Sequence, residues 1–229
     1  MKFLKSIGKR MMSKMRSSAI VIFHHVTDNP EIKCSNCMLS EQQFLEFIES
    51  YECFDTLSNV IKKPWNKKIA ITFDDGIEDL YTVAYPVLKQ KKIPFTAYIV
   101  TEFIGKPGYM SYEQVKSLAD DPLVEIGSHG ISHATLVSLN REQKEYEISE
   151  SQRRLEKLLS KDISGFAFPH GLYDVETLEI LKYYKYAVAV CNQPINLITR
   201  MRKYRLPRFN IDSSSYANIY NELSFLKRK

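Results

Sequence analysis

The chain has 229 residues, 44% hydrophobic and 26% charged, with a formal net charge of +5. That composition predicts a single globular domain large enough for an α/β core, and no apolar run approaches the ~18 residues of a membrane span. Lys2, Lys5, Lys9, Arg10, Lys14 and Arg16 fall in residues 1–16 without an acid, and Lys227-Arg228-Lys229 close the chain. The body between is mildly acidic, which excludes a nucleic-acid-binding domain, since that needs basic residues spread over a folded face.

Phe3, Leu4, Ile7, Met11 and Met15 recur at helical spacing among those first cations. Residues 1–16 therefore read as a basic amphipathic segment, able to lie on an anionic membrane surface or to pack on the domain formed by residues 17–229. The start lacks the apolar core of a signal peptide, which predicts a cytoplasmic protein with peripheral contact at the inner membrane face. The four cysteines make no disulfide framework and suit a reducing compartment as free thiols. Cys34 and Cys37 have zinc-ligand spacing, but no second close pair completes a site.

Ala19–Phe23 reads as a first buried strand ending in His24-His25. A capping box at Ser40 opens a helix whose inward stripe is Phe44, Leu45, Ile48 and Tyr51. Strand 69–73 ends in Asp74-Asp75-Gly76, and a helix follows over 80–91 with a kink at Pro86. Strand 95–100 precedes a helix opened by Ser111, and strand 123–126 runs into Gly127-Ser128-His129-Gly130-Ile131-Ser132-His133. Asn140 caps a charge-laced helix to about Ser160. Strand 166–168 meets Pro169-His170-Gly171. A helix over Val175–Leu181, a strand at 186–190, a strand near 206–211 and a closing helix through Tyr216 and Leu223 complete the chain. About seven strands alternating with helices predict a distorted, incomplete (β/α) barrel of parallel strands.

All five histidines, 24, 25, 129, 133 and 170, fall at predicted strand C-termini, where such a barrel keeps its chemistry. Asp75 with His129 and His133 makes a two-His, one-carboxylate set that leaves positions open for water and substrate. Asp74 is then free as general base, His24 can protonate a leaving amine, and a backbone N–H after Pro169 can stabilise an oxyanion. This describes metal-assisted hydrolysis of an amide or ester. The same ligand set serves non-haem iron oxygenases, but those would have no use for the additional Asp74.

These residues resemble the NodB-like polysaccharide deacetylases, carbohydrate esterase family 4. Thr72-Phe73-Asp74-Asp75-Gly76 matches the first motif of that family, and Glu125 to His129, continuing through His133 to Leu136, matches the second. Phe166 to Gly171, with Tyr173-Asp174, looks like the third. Phe23-His24-His25-Val26 resembles the acid element of the members that carry it N-terminally. The resemblance implies a distorted, incomplete barrel, Asp74 as base, His24 as acid, and Asp75, His129 and His133 as ligands of a divalent metal. That metal would be zinc, with Co, Ni, Mn or Fe as substitutes. Substrate contacts would come from Pro169, His170, Gly171, Tyr173 and Arg208. Two positions depart from the pattern. Ala167 stands where many members have Arg, and its usual Asp-x-x-Asp-Trp partner is absent, so the task of tuning the base either lapses or passes to Arg208. The other reading of Arg208 is a surface salt bridge. His170 stands where an aromatic is common.

The implied activity is removal of N-acetyl groups from an N-acetylated sugar, in a polysaccharide or in a lipid- or nucleotide-linked precursor. An O-acetyl esterase on the same scaffold and a catalytically silent carbohydrate-binding protein are the alternatives.

Overall fold

Short runs of β-branched and aromatic residues, buried on both faces, form the staves of a parallel barrel. The structure is a computed structural model and describes residues 17–32, 34 and 36–227. The strands are β1 (Ala19–Phe23), β2 (Ile69–Phe73), β3 (Phe95–Ile99), β4 (Val124–Ser128), β5 (Gly165–Ala167), β6 (Tyr186–Val190) and β7 (Leu206–Asn210). They pair in chain order, all parallel, and β7 returns to β1 through Val21–Phe209 and Ile22–Asn210. The seven-strand parallel barrel expected from the sequence is therefore present. Where an incomplete ring was expected, these two pairs close it. Distortion is concentrated between β4 and β5, which share a single paired position, Ser128 with Phe166.

Alternation along the strands sorts the core into two layers. Ile20, Ala70, Tyr98, Ala167, Val188 and Leu206 form a compact inner cluster. Val21, Phe23, Ile71, Phe73, Phe95 and Phe209 belong to the larger cluster under the helices. Continued one step past each strand, the inward parity arrives at His24, Asp74 and His129. Gly127 is required within β4, because a Cβ there would stand 2.4 Å from the Tyr98 ring.

The helices are α1 (Glu41–Ser50), α2 (Leu57–Lys62), α3 (80–90), α4 (Tyr112–Asp120), α5 (141–159), α6 (Val175–Ile180), α7 (Leu197–Arg200) and α8 (Tyr216–Glu222). Capping boxes form at Ser40 and Ser111 as predicted, and Asn140, expected only as a cap, forms one as well. In place of a plain kink, α3 takes a π-helical turn over Leu80–Ala84 just before Pro86, which accommodates a residue that cannot donate to the preceding turn. Cys34 and Cys37 are joined in a disulfide, which corrects the expectation of free thiols. Their loop brings the Cα atoms to 5.7 Å, within bridging range. Cys53 and Cys191 are free. The amphipathic segment predicted for residues 1–16 and the terminal Arg228-Lys229 lie outside the described residues. Among the described residues, no helix is long and apolar enough to cross a membrane.

Lys144 on α5 is buried, and its Nζ donates to Asp174 Oδ2 at 2.6 Å and to Glu176 Oε2 at 2.8 Å. Asp174 also caps α6 through Thr177 N at 2.8 Å. Lys144 and then Thr177 hold the Asp174 pKa down to about 2. Lys144→Met is expected to cost about 1–2 kcal/mol, a modest figure because both carboxylates reach solvent. A depressed carboxylate contributes stability above its unfolded pKa, 3.8, and loses it as pH falls through about 2. Urea midpoints of parent and variant should therefore converge between pH 4 and pH 2.

Candidate active site

The inward parity of β1 and β2 brings His24 and Asp74 to the C-terminal mouth of the barrel. Asp74 N–H donates to Phe23 O at 3.1 Å, which fixes the carboxylate at the strand end. Asp75 would point to the opposite face of a continuing strand. It instead takes a left-handed backbone, φ 71°, followed by Gly76 at φ 78°. The turn thus begins one residue earlier than the glycine and swings Asp75 back beside Asp74. A non-glycine residue in this region carries backbone strain, and His133 (φ 63°) and His170 (φ 58°) share it.

His129 leaves β4 almost wholly buried, and its Nδ1 donates to Ala167 O at 2.9 Å. A carbonyl oxygen only accepts, so this bond places the ring proton on Nδ1 and the lone pair on Nε2. His129 Nε2 then lies 3.3 Å from Asp75 Oδ1, and His133 Nε2 lies 3.4 Å from the same oxygen. The intervening turn is held by Glu147, which accepts from Ile131 N (2.8 Å), Ser132 N (3.1 Å) and Ser132 Oγ (2.6 Å). Glu147 lies in the π-helical turn Tyr146–Glu150 of α5.

The donor atoms of Asp75, His129 and His133 lie within 4.8 Å of one another. Asp75 Oδ1 is buried and has no hydrogen-bond partner among the described residues. Two imidazole lone pairs and a carboxylate oxygen facing each other repel unless positive charge lies between them. Burial works against a charged His129, yet Asp74 and Asp75 outweigh it and raise its pKa. Burial and then His129 push His133 down to about 4, which keeps that ring neutral. One oxygen and two nitrogen donors of this kind fit a divalent transition metal such as zinc.

Arg208, named as the candidate for the task of the missing third-motif arginine, pairs with Asp74. Inward-facing on β7 and 0% exposed, it donates Nη1 to Asp74 Oδ1 and Nη2 to Asp74 Oδ2, each at 2.7 Å. Nη1 also reaches Thr72 Oγ1 at 3.1 Å, and the guanidinium lies over the Tyr98 ring at 5.5 Å. Burial would raise the Asp74 pKa, but Arg208 and then His129 outweigh it, so the carboxylate titrates below its ordinary range. This pairing overturns the surface salt-bridge reading of Arg208. It also removes the side chain from direct substrate contact, because the residue is sealed beneath Asp74 at 0% exposure.

The third-motif residues divide. Pro169 is buried, and the His170 ring stands 4.4 Å from His133 at the rim. Gly171, φ 70°, lies against the Val190 backbone. The Tyr173 ring packs on Phe168 at 4.8 Å, in the layer beneath the helices and apart from the His–Asp cluster. His24 is half-buried with its Nδ1 unpartnered among the described residues. Burial lowers its pKa, with Asp74 and Asp75 opposing. His25 turns away, its Nδ1 2.6 Å from Asp79 Oδ2.

Sequence reasoning missed Glu147 and Asp79. Glu147 had a signal, because it falls with Lys144 and Ser151 at three- to four-residue spacing on the buried side of α5. Charged residues on such a stripe need partners inside. Asp79 had no comparable one.

The family model described as polysaccharide deacetylase matches residues 62–189, more than half of the chain. The chain belongs to the polysaccharide deacetylase family. YxkH of Bacillus subtilis (strain 168), named as a polysaccharide deacetylase, is 33% identical over 133 residues, 58% of this chain and 47% of that protein. The chain thus spans about half the length of that relative. The poly-beta-1,6-N-acetyl-D-glucosamine N-deacetylase of Staphylococcus aureus (strain MRSA252) is 25% identical, over 92% of this chain and 84% of its own length. The Streptococcus pyogenes deacetylase PplD, solved in complex with acetate, superposes with a TM-score of 0.78 at 23% identity, covering 93% of this chain and 99% of that one. The fold is the deacetylase barrel.

Proposed function

We propose that this deacetylase removes N-acetyl groups from an N-acetylated glucosamine polymer or its precursor, with a divalent metal held by Asp75, His129 and His133. The observation that carries this reading is the separation of the two adjacent carboxylates. Arg208 holds Asp74 ionised within the site, while Asp75 Oδ1 faces the two histidines. A divalent ion in that set supplies Lewis acidity, lowering the pKa of a water and polarising the acetyl carbonyl.

The chain's own residues do the rest. Asp74 takes the proton from the attacking water, its lone pairs aimed by the two Arg208 bonds. The strained turn at His170 offers its backbone N–H to the developing oxyanion. His24, across the mouth, delivers a proton to the nitrogen as the C–N bond breaks, so that acetate and a free amine leave. Burial lowers the His24 pKa, so the ring is neutral at rest and must take up a proton before it can deliver one. Pro169, His170 and Gly171 shape the rim that receives the sugar.

The test is acetate and free-amine release from N-acetylglucosamine oligomers, with O-acetylated xylan in parallel. Acetate with an equal yield of amine supports the reading. Acetate from the O-acetyl substrate alone would replace it with an esterase, and none from either would leave a carbohydrate-binding protein. Metal retention is checked independently of turnover. Zinc at a hundredfold excess over its Kd is expected to stabilise the parent by about 2.7 kcal/mol and to leave the His133→Gln melting temperature nearly unchanged.

A further inference from the structure

The end of the barrel opposite the site carries a second surface feature that deacetylation does not use. The short turn Pro64–Asn66 lies just before β2, and α7 lies just before β7, so both sit at the N-terminal ends of the strands. The two pack together. Together they expose Trp65 (46%), Leu197 (59%), Ile198 (71%) and Met201 (84%). Large apolar side chains at such exposure, held on adjoining elements, mark an interaction surface.

The setting of this patch is strongly basic. Lys62, Lys63, Lys67 and Lys68 flank Trp65, and Arg200, Arg202, Lys203 and Arg205 flank Met201. Neither residues 56–68 nor residues 191–205 contain an Asp or Glu. Among the described residues, none of the eight cations forms an ion pair with a carboxylate, whereas Lys89, Lys91 and Lys161 elsewhere do. The chain also enters the fold here. Ser18 bridges to Ile195 and its Oγ accepts from Lys68 N at 3.0 Å. Residues 1–16, six of them cations, precede Ser17 in the sequence and lie outside the described residues.

We propose that this face docks on an anionic lipid bilayer, with Trp65, Leu197, Ile198 and Met201 entering the interface and the ring of Lys and Arg meeting lipid headgroups. An apolar centre with a cationic rim is the complement of such a surface. A soluble polyanion would pair with the cations and leave the four apolar side chains in water. The five residues of β2, ~17 Å of strand, separate the patch from Asp74 and Asp75. Docked this way, the enzyme turns its catalytic mouth away from the lipid and takes substrate from the aqueous side. This orientation is independent of which acyl bond the site cleaves.

Trp65 is the sole tryptophan of the chain, so its fluorescence reports on this patch alone. The full-length protein is titrated with vesicles of phosphatidylglycerol and phosphatidylcholine, with pure phosphatidylcholine, and with anionic vesicles carrying brominated acyl chains. The expected result is a blue shift on anionic vesicles, quenching by bromine, and loss of both in high salt. In Ile198→Asp/Met201→Asp, partitioning should fall about tenfold or more, since two apolar anchors are replaced by charges. Both positions are exposed, and circular dichroism confirms that the variant is folded. Vesicle binding with unchanged Trp65 emission would place the contact elsewhere on the chain and overturn the proposal. So would parent-level partitioning of the double variant, or a shift equalled by heparin without quenching by bromine.

Discussion

Asp74→Asn is expected to lower acetate release by about 10²–10⁴-fold, the contribution of a positioned general base. The substitution also acts on the fold. Asn offers Arg208 one carbonyl oxygen in place of two charged acceptors, and the guanidinium has no route to solvent at 0% exposure. Stranding one member of a buried pair costs about 3–5 kcal/mol. Lost activity in this variant alone would therefore mix lost chemistry with lost stability.

The second large effect separates them. Arg208→Met strands the Asp74 carboxylate instead, and burial, no longer opposed by the guanidinium, raises its pKa. A comparable loss of about 3–5 kcal/mol is expected, with activity falling as Asp74 spends time protonated. Asp74→Asn/Arg208→Met removes both charges at once. Because the two residues touch, the losses should be far from additive, with the double variant more stable than either single one by urea unfolding. It should nevertheless release no acetate. Additive losses would mean that the pair is not a coupled unit.

The inner parity of the strands explains what was legible from the sequence. His24, Asp74 and His129 each follow a recognisable apolar run, so the mouth of the barrel and most of its chemical groups could be placed before any coordinates. Arg208 could only be named as a candidate. Its partner lies 134 residues away, and the contact exists only because β7 closes the ring against β1. The left-handed backbone at Asp75 leaves no mark in composition. Glu147 acts from a helix on a turn 15 and 16 residues earlier in the chain, which periodicity alone does not show. Tyr173 shares a motif with the rim residues, but its ring was captured by Phe168. Average cysteine usage over the chain does not reveal the Cys34–Cys37 bridge, because proximity within one loop governs it.

Acetate release from an N-acetylglucosamine oligomer by the zinc-loaded Asp74→Asn/Arg208→Met variant, beside the parent, tests most directly whether Asp74 is the base of a metal-assisted deacetylation. The expected result is a folded variant that binds zinc with the parent's stoichiometry and releases no acetate, while the parent turns over. Release by the variant at the parent's rate would contradict that role and place the base elsewhere.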